Sequence, residues 1–199
     1  MGALSTPVRG ARMKVLGIAG WSGAGKTTLI VKLISVITAR GLCVSTVKHA
    51  HHDFDLDQPG KDSFVHRKAG AREVIVSSAR RFALIHELDE DESEMSLSAL
   101  LARLSPCDLV LVEGFKRLSH PKLEVFRAAN GREALHPCDP CIVAIASDRE
   151  FPQAQIPVVP LDHIAAICDL ILAKAVPIDE VVERLSGGPH GARVEKRIS

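Results

Sequence analysis

Gly20-Trp-Ser-Gly-Ala-Gly-Lys-Thr27 spells G-x-x-x-x-G-K-T, and a chain that carries this octapeptide between a strand and a helix has few folds open to it. Upstream, Met13-Lys-Val-Leu-Gly-Ile-Ala19 is an apolar run long enough for one buried strand. Downstream, Thr28 to Arg40 is apolar enough for a buried helix and is closed by Gly41. Strand, glycine loop and helix in that order aim several backbone N–H groups at a polyphosphate lying at a helix N-terminus. Gly20, Gly23 and Gly25 allow backbone angles and a close approach that side chains block, while Ser22, Ala24 and Thr28 complete the loop and its entry into the helix. Lys26 is expected to reach the β- and γ-phosphates, and the Thr27 hydroxyl to ligate Mg²⁺. The predicted ligand is a nucleoside triphosphate.

The rest of the chain alternates strands with helices. Leu42–Lys48 reads as a second strand, His49–Gly60 as a long polar loop or flap, and the stretch from Asp62 and Ser63 to Ala69 as a short helix stopped by Gly70. Strands are expected over Glu73–Ser77, Arg81–His86, Leu109–Val112, Leu123–Phe126 and Cys141–Ala146. Helices are expected over Leu97–Leu104, Asp162–Ala173 and Ile178–Leu185, with the acidic run Glu87–Glu94 as a solvated connection. This pattern predicts an α/β fold of the P-loop NTPase type: three layers, with a mostly parallel sheet flanked by helices and the ligand at the C-terminal ends of the strands. At 199 residues and 46% hydrophobic content, the default is one nucleotide-binding domain over residues 13–185. Residues 1–12 are then a flexible leader and 186–199 a disordered basic tail.

Net charge of +1 gives no bias toward nucleic acid, and Leu29–Ala39, interrupted by Lys32, is too short to span a bilayer. The leader has no apolar segment of the secretory kind, and five cysteines, an odd number, suit a reducing cytoplasm.

Further motifs sharpen the chemistry. Asp108-Leu-Val-Leu-Val-Glu113-Gly114 is an apolar strand ending in a carboxylate, the form of a Walker B element that holds Mg²⁺ or its water. Glu113 stands where Asp is commoner. Lys48 and His49 fall at a strand's C-terminal end, where phosphate and substrate contacts concentrate. Four histidines, His49, His51, His52 and His66, lie near Asp53, Asp55 and Asp57, but without the closed spacing of structural zinc. Asp62 suits either a Mg²⁺ partner or a helix cap. Cys138 and Cys141 form one C-x-x-C, a weak zinc signal beside the simpler reading of packing. Ala144-Ile-Ala-Ser147-Asp148 ends a late strand in an acid placed to accept hydrogen bonds from guanine, although no intact Asn/Thr-Lys-x-Asp surrounds Asp148.

Taken together, the P-loop, the Lys48-His-Ala-His-His-Asp-Phe-Asp segment, Pro59-Gly-Lys-Asp-Ser63 leading to Ala69-Gly-Ala71, Asp108–Lys116 and Pro121-Lys-Leu-Glu-Val-Phe-Arg127 resemble the molybdopterin-guanine dinucleotide biosynthesis protein B family, MobB. The resemblance implies a GTP-binding homodimer with Mg²⁺ and slow GTP hydrolysis. It also implies a helper role beside the guanylyltransferase MobA, which couples GMP to molybdopterin. Lys26 and Glu113 would be the residues of hydrolysis. Trp21 occupies the position where related dimeric ATPases place a trans-acting lysine, and no residue stands out as a water-positioner. Two other functions stay open on the residues alone. One is a small-molecule kinase, with His49 or Asp53 as base and Arg80-Arg81 as lid; the other is a metal-insertion GTPase using the His-rich segment.

Overall fold

The computed structural model describes residues 13–50, 54–89 and 91–187. In chain order the elements are β1 (Lys14–Ala19), α1 (Lys26–Ala39), β2 (Val44–Lys48), α2 (Asp62–Lys68), β3 (Glu73–Ser77), β4 (Phe82–His86), α3 (Leu97–Leu101) and β5 (Leu109–Glu113). They continue with β6 (Lys122–Phe126), a 3-10 turn (Ala128–Asn130), β7 (Ile142–Ser147), β8 (Val158–Pro160), α4 (Ile164–Lys174), β9 (Val176–Pro177) and α5 (Ile178–Leu185). The expected leader and tail, and His51, His52 and Asp53, lie outside the described residues.

Contacts divide the chain into two compact units, 50–96 and the remainder. In the larger one the strand order is β2-β5-β1-β6-β7-β8, all parallel, and β9 pairs antiparallel with β1 at Lys14 and Val15. The central strands are apolar on both faces, as a sheet covered on both sides requires. Leu109 and Leu111 of β5, with Leu16 and Ile18 of β1, pack with Leu29, Leu33 and Ile37 of α1 and Ile167 and Ile171 of α4. Val110, Val112 and Val15, one residue out of phase, pack on the other face with Leu97 and Leu101 of α3 and Val181 of α5. Helix, sheet and helix make the three layers expected.

Strand β6 departs from this apolar rule. Lys122 and Glu124, alternate residues of one strand, are both fully buried. Lys122 Nζ donates to the carbonyls of Lys116 and Leu118 at 3.0 and 2.8 Å and pairs with Asp139 at 2.9 Å. Glu124 accepts from the backbone N–H groups of Leu135 and His136 at 2.6 and 2.9 Å. Each buried charge is thus satisfied by an irregular segment, which these bonds fix against the sheet.

The 50–96 unit contains α2 and the antiparallel hairpin β3–β4. Its polar centre is Arg67, which bonds to both oxygens of Asp55 at 2.8 Å and to Glu87 at 2.6 Å. These contacts, with Glu87 and Asp55, raise the guanidinium pKa further. Arg72 likewise holds Glu92 at 2.6 Å, so the acidic run is tied down at two points instead of being only solvated.

Candidate nucleotide-binding site

The phosphate loop leaves β1 at Gly20, whose φ of 146° and close packing exclude a side chain; a Cβ there would lie 2.5 Å from the Val125 carbonyl oxygen. Gly25, at φ 90°, is the N-cap of α1, and the helix begins at Lys26, two residues before the sequence pattern placed it. Gly23 is also left-handed, Ala24 is buried, and Ser22 and Thr28 are exposed. Lys26 Nζ folds back to donate to the carbonyls of Gly20 and Trp21, each at 2.9 Å. Burial lowers its pKa; Lys116 and Lys48 push the same way, while Glu113 pulls it up.

Parallel register brings the acid to this loop. Glu113 is opposite Ile18 of β1 and Lys48 of β2. Thr27 Oγ1 donates to Glu113 Oε1 at 3.1 Å, and Lys48 Nζ lies 3.9 Å from Glu113 Oε2. The backbone N–H of His49 bonds to the Glu113 carbonyl at 2.9 Å, and its ring lies 4.8 Å from that of Phe115. Phe115 adopts φ 49°, the one positive value at a non-glycine among the described residues, directly after Gly114 at φ 92°. This backbone, costly by roughly 1–3 kcal/mol where nothing holds it, turns the chain sharply after Glu113. Lys116 then lies 4.8 Å from the centre of the Trp21 ring and Arg132 5.5 Å from it.

A hydroxyl and a carboxylate oxygen that converge beside a phosphate loop make an oxygen-only donor set that suits Mg²⁺, which takes one or two protein oxygens and fills its octahedron with phosphate and water. Thr27 and Glu113 would hold it.

The other predicted residues belong to other segments of the chain. Asp148 follows β7 and is exposed; its Oδ1 accepts from the Ala128 N–H at 2.9 Å, leaving Oδ2 without a protein partner in the described residues. Asp62 belongs to the 50–96 unit, where it is the first residue of α2 and exposed, without a capping side-chain bond. His66 is on the same helix, and Arg80 and Arg81 lie in the β3–β4 turn. Among the described residues no group of three or more His, Cys, Asp or Glu side chains is arranged to hold a metal ion. Cys138 is exposed and Cys141 half-buried, with burial raising the Cys141 thiol pKa. No described helix is long and apolar enough to cross a membrane.

Beyond the predicted set, three further side chains make hydrogen bonds at or beside the loop. Arg127 Nε donates to the Ala24 carbonyl at 3.2 Å, Asn130 Nδ2 to that of Ser22 at 3.3 Å, and Trp21 Nε1 to that of Glu133 at 2.8 Å.

A sequence profile described as molybdopterin guanine dinucleotide synthesis protein B matches residues 15–148. The chain belongs to the MobB family. The molybdopterin-guanine dinucleotide biosynthesis adapter protein of Escherichia coli (strain K12) is 47% identical over 137 residues, 67% of this chain and 78% of that protein. The Haemophilus influenzae protein of the same description is 39% identical over 137 residues, covering 69% and 76%. A crystal structure of molybdopterin-guanine biosynthesis protein B superposes with a TM-score of 0.59 at 26% identity, over 80% of this chain and 98% of that one. Bacillus subtilis MobB superposes at 0.62 and 22% identity over 82% and 98%, a likeness of fold. The match to the MobB profile ends at Asp148, so the β8, β9, α4 and α5 region lies beyond it.

Proposed function

We propose that this protein is a GTP-binding adapter in the synthesis of molybdopterin-guanine dinucleotide, acting in the cytoplasm beside a MobA-type guanylyltransferase while that enzyme attaches GMP to molybdopterin. Membership of the MobB family supports this pathway over the kinase and metal-insertion readings. The observation that carries the nucleotide half is the hydrogen bond between Thr27 and Glu113 beside the left-handed glycines of the loop. In this reading the loop amides and Lys26 bind the phosphates, and Thr27 and Glu113 orient Mg²⁺. The bound metal supplies charge neutralisation at the β- and γ-oxygens. Lys48 and His49 line the same strand ends and contact substrate. Asp148 Oδ2 accepts from the guanine N1 and N2 donors, which gives the preference for GTP over ATP.

Hydrolysis is slow in this reading. Lys26 compensates charge, no water-positioner stands out among the described residues, and P-loop GTPases lacking such assistance turn over at about 10⁻⁴ s⁻¹. A homodimer is supported by the 50–96 unit, whose hairpin exposes Ile75, Val76, Phe82 and Leu84, with Phe82 75% accessible. Exposed apolar side chains gathered on one short hairpin mark an interaction surface. Reconstitution tests the proposal: guanylyltransferase, molybdopterin and GTP are combined with and without this protein. A higher yield of the guanine dinucleotide, lost with Lys26→Ala, supports the adapter role; identical yields refute it.

A further inference from the structure

Arg127 is a cation beside the phosphate loop that the loop itself does not consume. Its Nε is committed to the Ala24 carbonyl, and its guanidinium lies along Gly25, where a Cβ would stand 3.3 Å from Nε and 3.6 Å from one terminal nitrogen. No carboxylate among the described residues pairs with it, and its two terminal NH₂ groups have no described acceptor. Other arginines of this chain, Arg40, Arg67 and Arg72, are each paired with acids. An arginine is a planar fork of five donors, and holding one edge on a carbonyl fixes where the remaining edge points.

The position of that edge along the loop follows from Lys26. Its ammonium rests on the carbonyls of Gly20 and Trp21, at the strand end of the loop, and the lysine of such a loop reaches the β- and γ-phosphates. Arg127 sits at the opposite end, against Ala24 and Gly25, where the amides cradle the α- and β-phosphates. The backbone that carries Arg127 is held as well. Asp148 Oδ1 holds the Ala128 N–H next to it, Asn130 reaches Ser22, and the buried Glu124 secures Leu135 and His136. Segment 127–136 is therefore anchored at both ends and bonded to the loop between them.

We infer that Arg127 is a phosphate ligand supplied in cis, engaging the diphosphate common to GTP and GDP, with Asn130 and Asp148 as the residues that position it. The inference rests on the nucleotide reading above and adds a charged donor to it. Because the contact is to the diphosphate, Arg127 strengthens the binding of GTP and GDP alike.

Calorimetric titration of GTP, GDP and GMP into the full chain with Mg²⁺ tests this, using wild type, Arg127→Gln, Arg127→Lys and Lys26→Ala. Glutamine keeps an N–H donor for the Ala24 carbonyl and removes the charge; lysine keeps the charge and loses the fork. The expected result is a loss of about tenfold or more with Arg127→Gln, equal for GTP and GDP. A smaller loss is expected with Arg127→Lys, and a gap between wild type and Arg127→Gln that narrows as salt rises. Arg127→Gln binding like wild type, Arg127→Lys doing no better than Arg127→Gln, or a loss indifferent to salt would each overturn the inference and leave Arg127 as a brace alone. In those cases wild type still binds and Lys26→Ala binds far more weakly, so the nucleotide reading survives; a wild-type chain that binds no nucleotide overturns both.

Discussion

Thr27 and Glu113 meet: the first hydroxyl of α1 donates to the last carboxylate of β5 across 3.1 Å, eighty-six residues apart in sequence. The bond exists because β5 lies beside β1 in parallel register, so that the ends of both strands face the loop. In the function proposed above, a protein donor on this carboxylate keeps its oxygens oriented for the Mg²⁺ that Thr27 and Glu113 would hold.

Glu113→Gln therefore removes charge while keeping shape and the acceptor for Thr27. GTP affinity in the presence of Mg²⁺ is expected to fall by roughly tenfold, the scale of one lost charge-assisted contact, while affinity in EDTA changes little. Parallel titrations with and without the metal check this. Equal losses in both would assign Glu113 to strand packing.

Asp148 has two oxygens and two separable tasks. Asp148→Asn keeps an oxygen for the Ala128 N–H and presents an amide donor to guanine, so the ratio of GTP to ATP affinity is expected to collapse toward one. Asp148→Ala also releases Ala128, and both nucleotides should then bind more weakly. If Asp148→Asn leaves the ratio intact, base recognition lies elsewhere at the strand ends.

His120 links the fold to pH. It is fully buried, and burial, with help from Lys122, pushes its pKa down to about 3. The folded protein thus keeps the ring neutral while the unfolded chain takes up a proton below about pH 6.5. Its contribution to stability is intact above that value and is lost as pH falls toward 3, by at most roughly 5 kcal/mol over the whole interval. Thermal unfolding of wild type and His120→Leu between pH 7 and 4 is the check. The acid slope should be shallower in the variant; parallel slopes would show that other groups dominate.

The parts of this molecule that residue chemistry dictates locally are legible in the sequence. Gly20 and Gly25 stand where only glycine fits, and the unbroken apolar run Leu109, Val110, Leu111 and Val112 marks a strand covered on both faces. Strands β8 and β9, three and two residues long, are too short to show a period and exist because neighbouring strands recruit them. The buried pair Lys122 and Glu124 reads as solvent-facing in a strand, since the groups that satisfy it arrive from residues 116–118 and 135–139. Arg127 closes a recognisable motif, but its bond to Ala24 spans 103 residues, and no local pattern encodes it. The compact 50–96 unit also escapes a reading by composition, because its Arg67 centre is built from acids that look like an exposed charge run.

Isothermal titration of GTP with Mg²⁺ into wild type and Lys26→Ala is the most direct test of the central claim. Lys26 is the half-buried cation spanning Gly20 and Trp21, and its loss should weaken GTP binding by about ten- to a hundredfold or more while circular dichroism stays unchanged. Wild type is expected to bind one GTP per chain with a preference over ATP. Undiminished GTP binding by a folded Lys26→Ala variant, or no binding by wild type, would contradict the account.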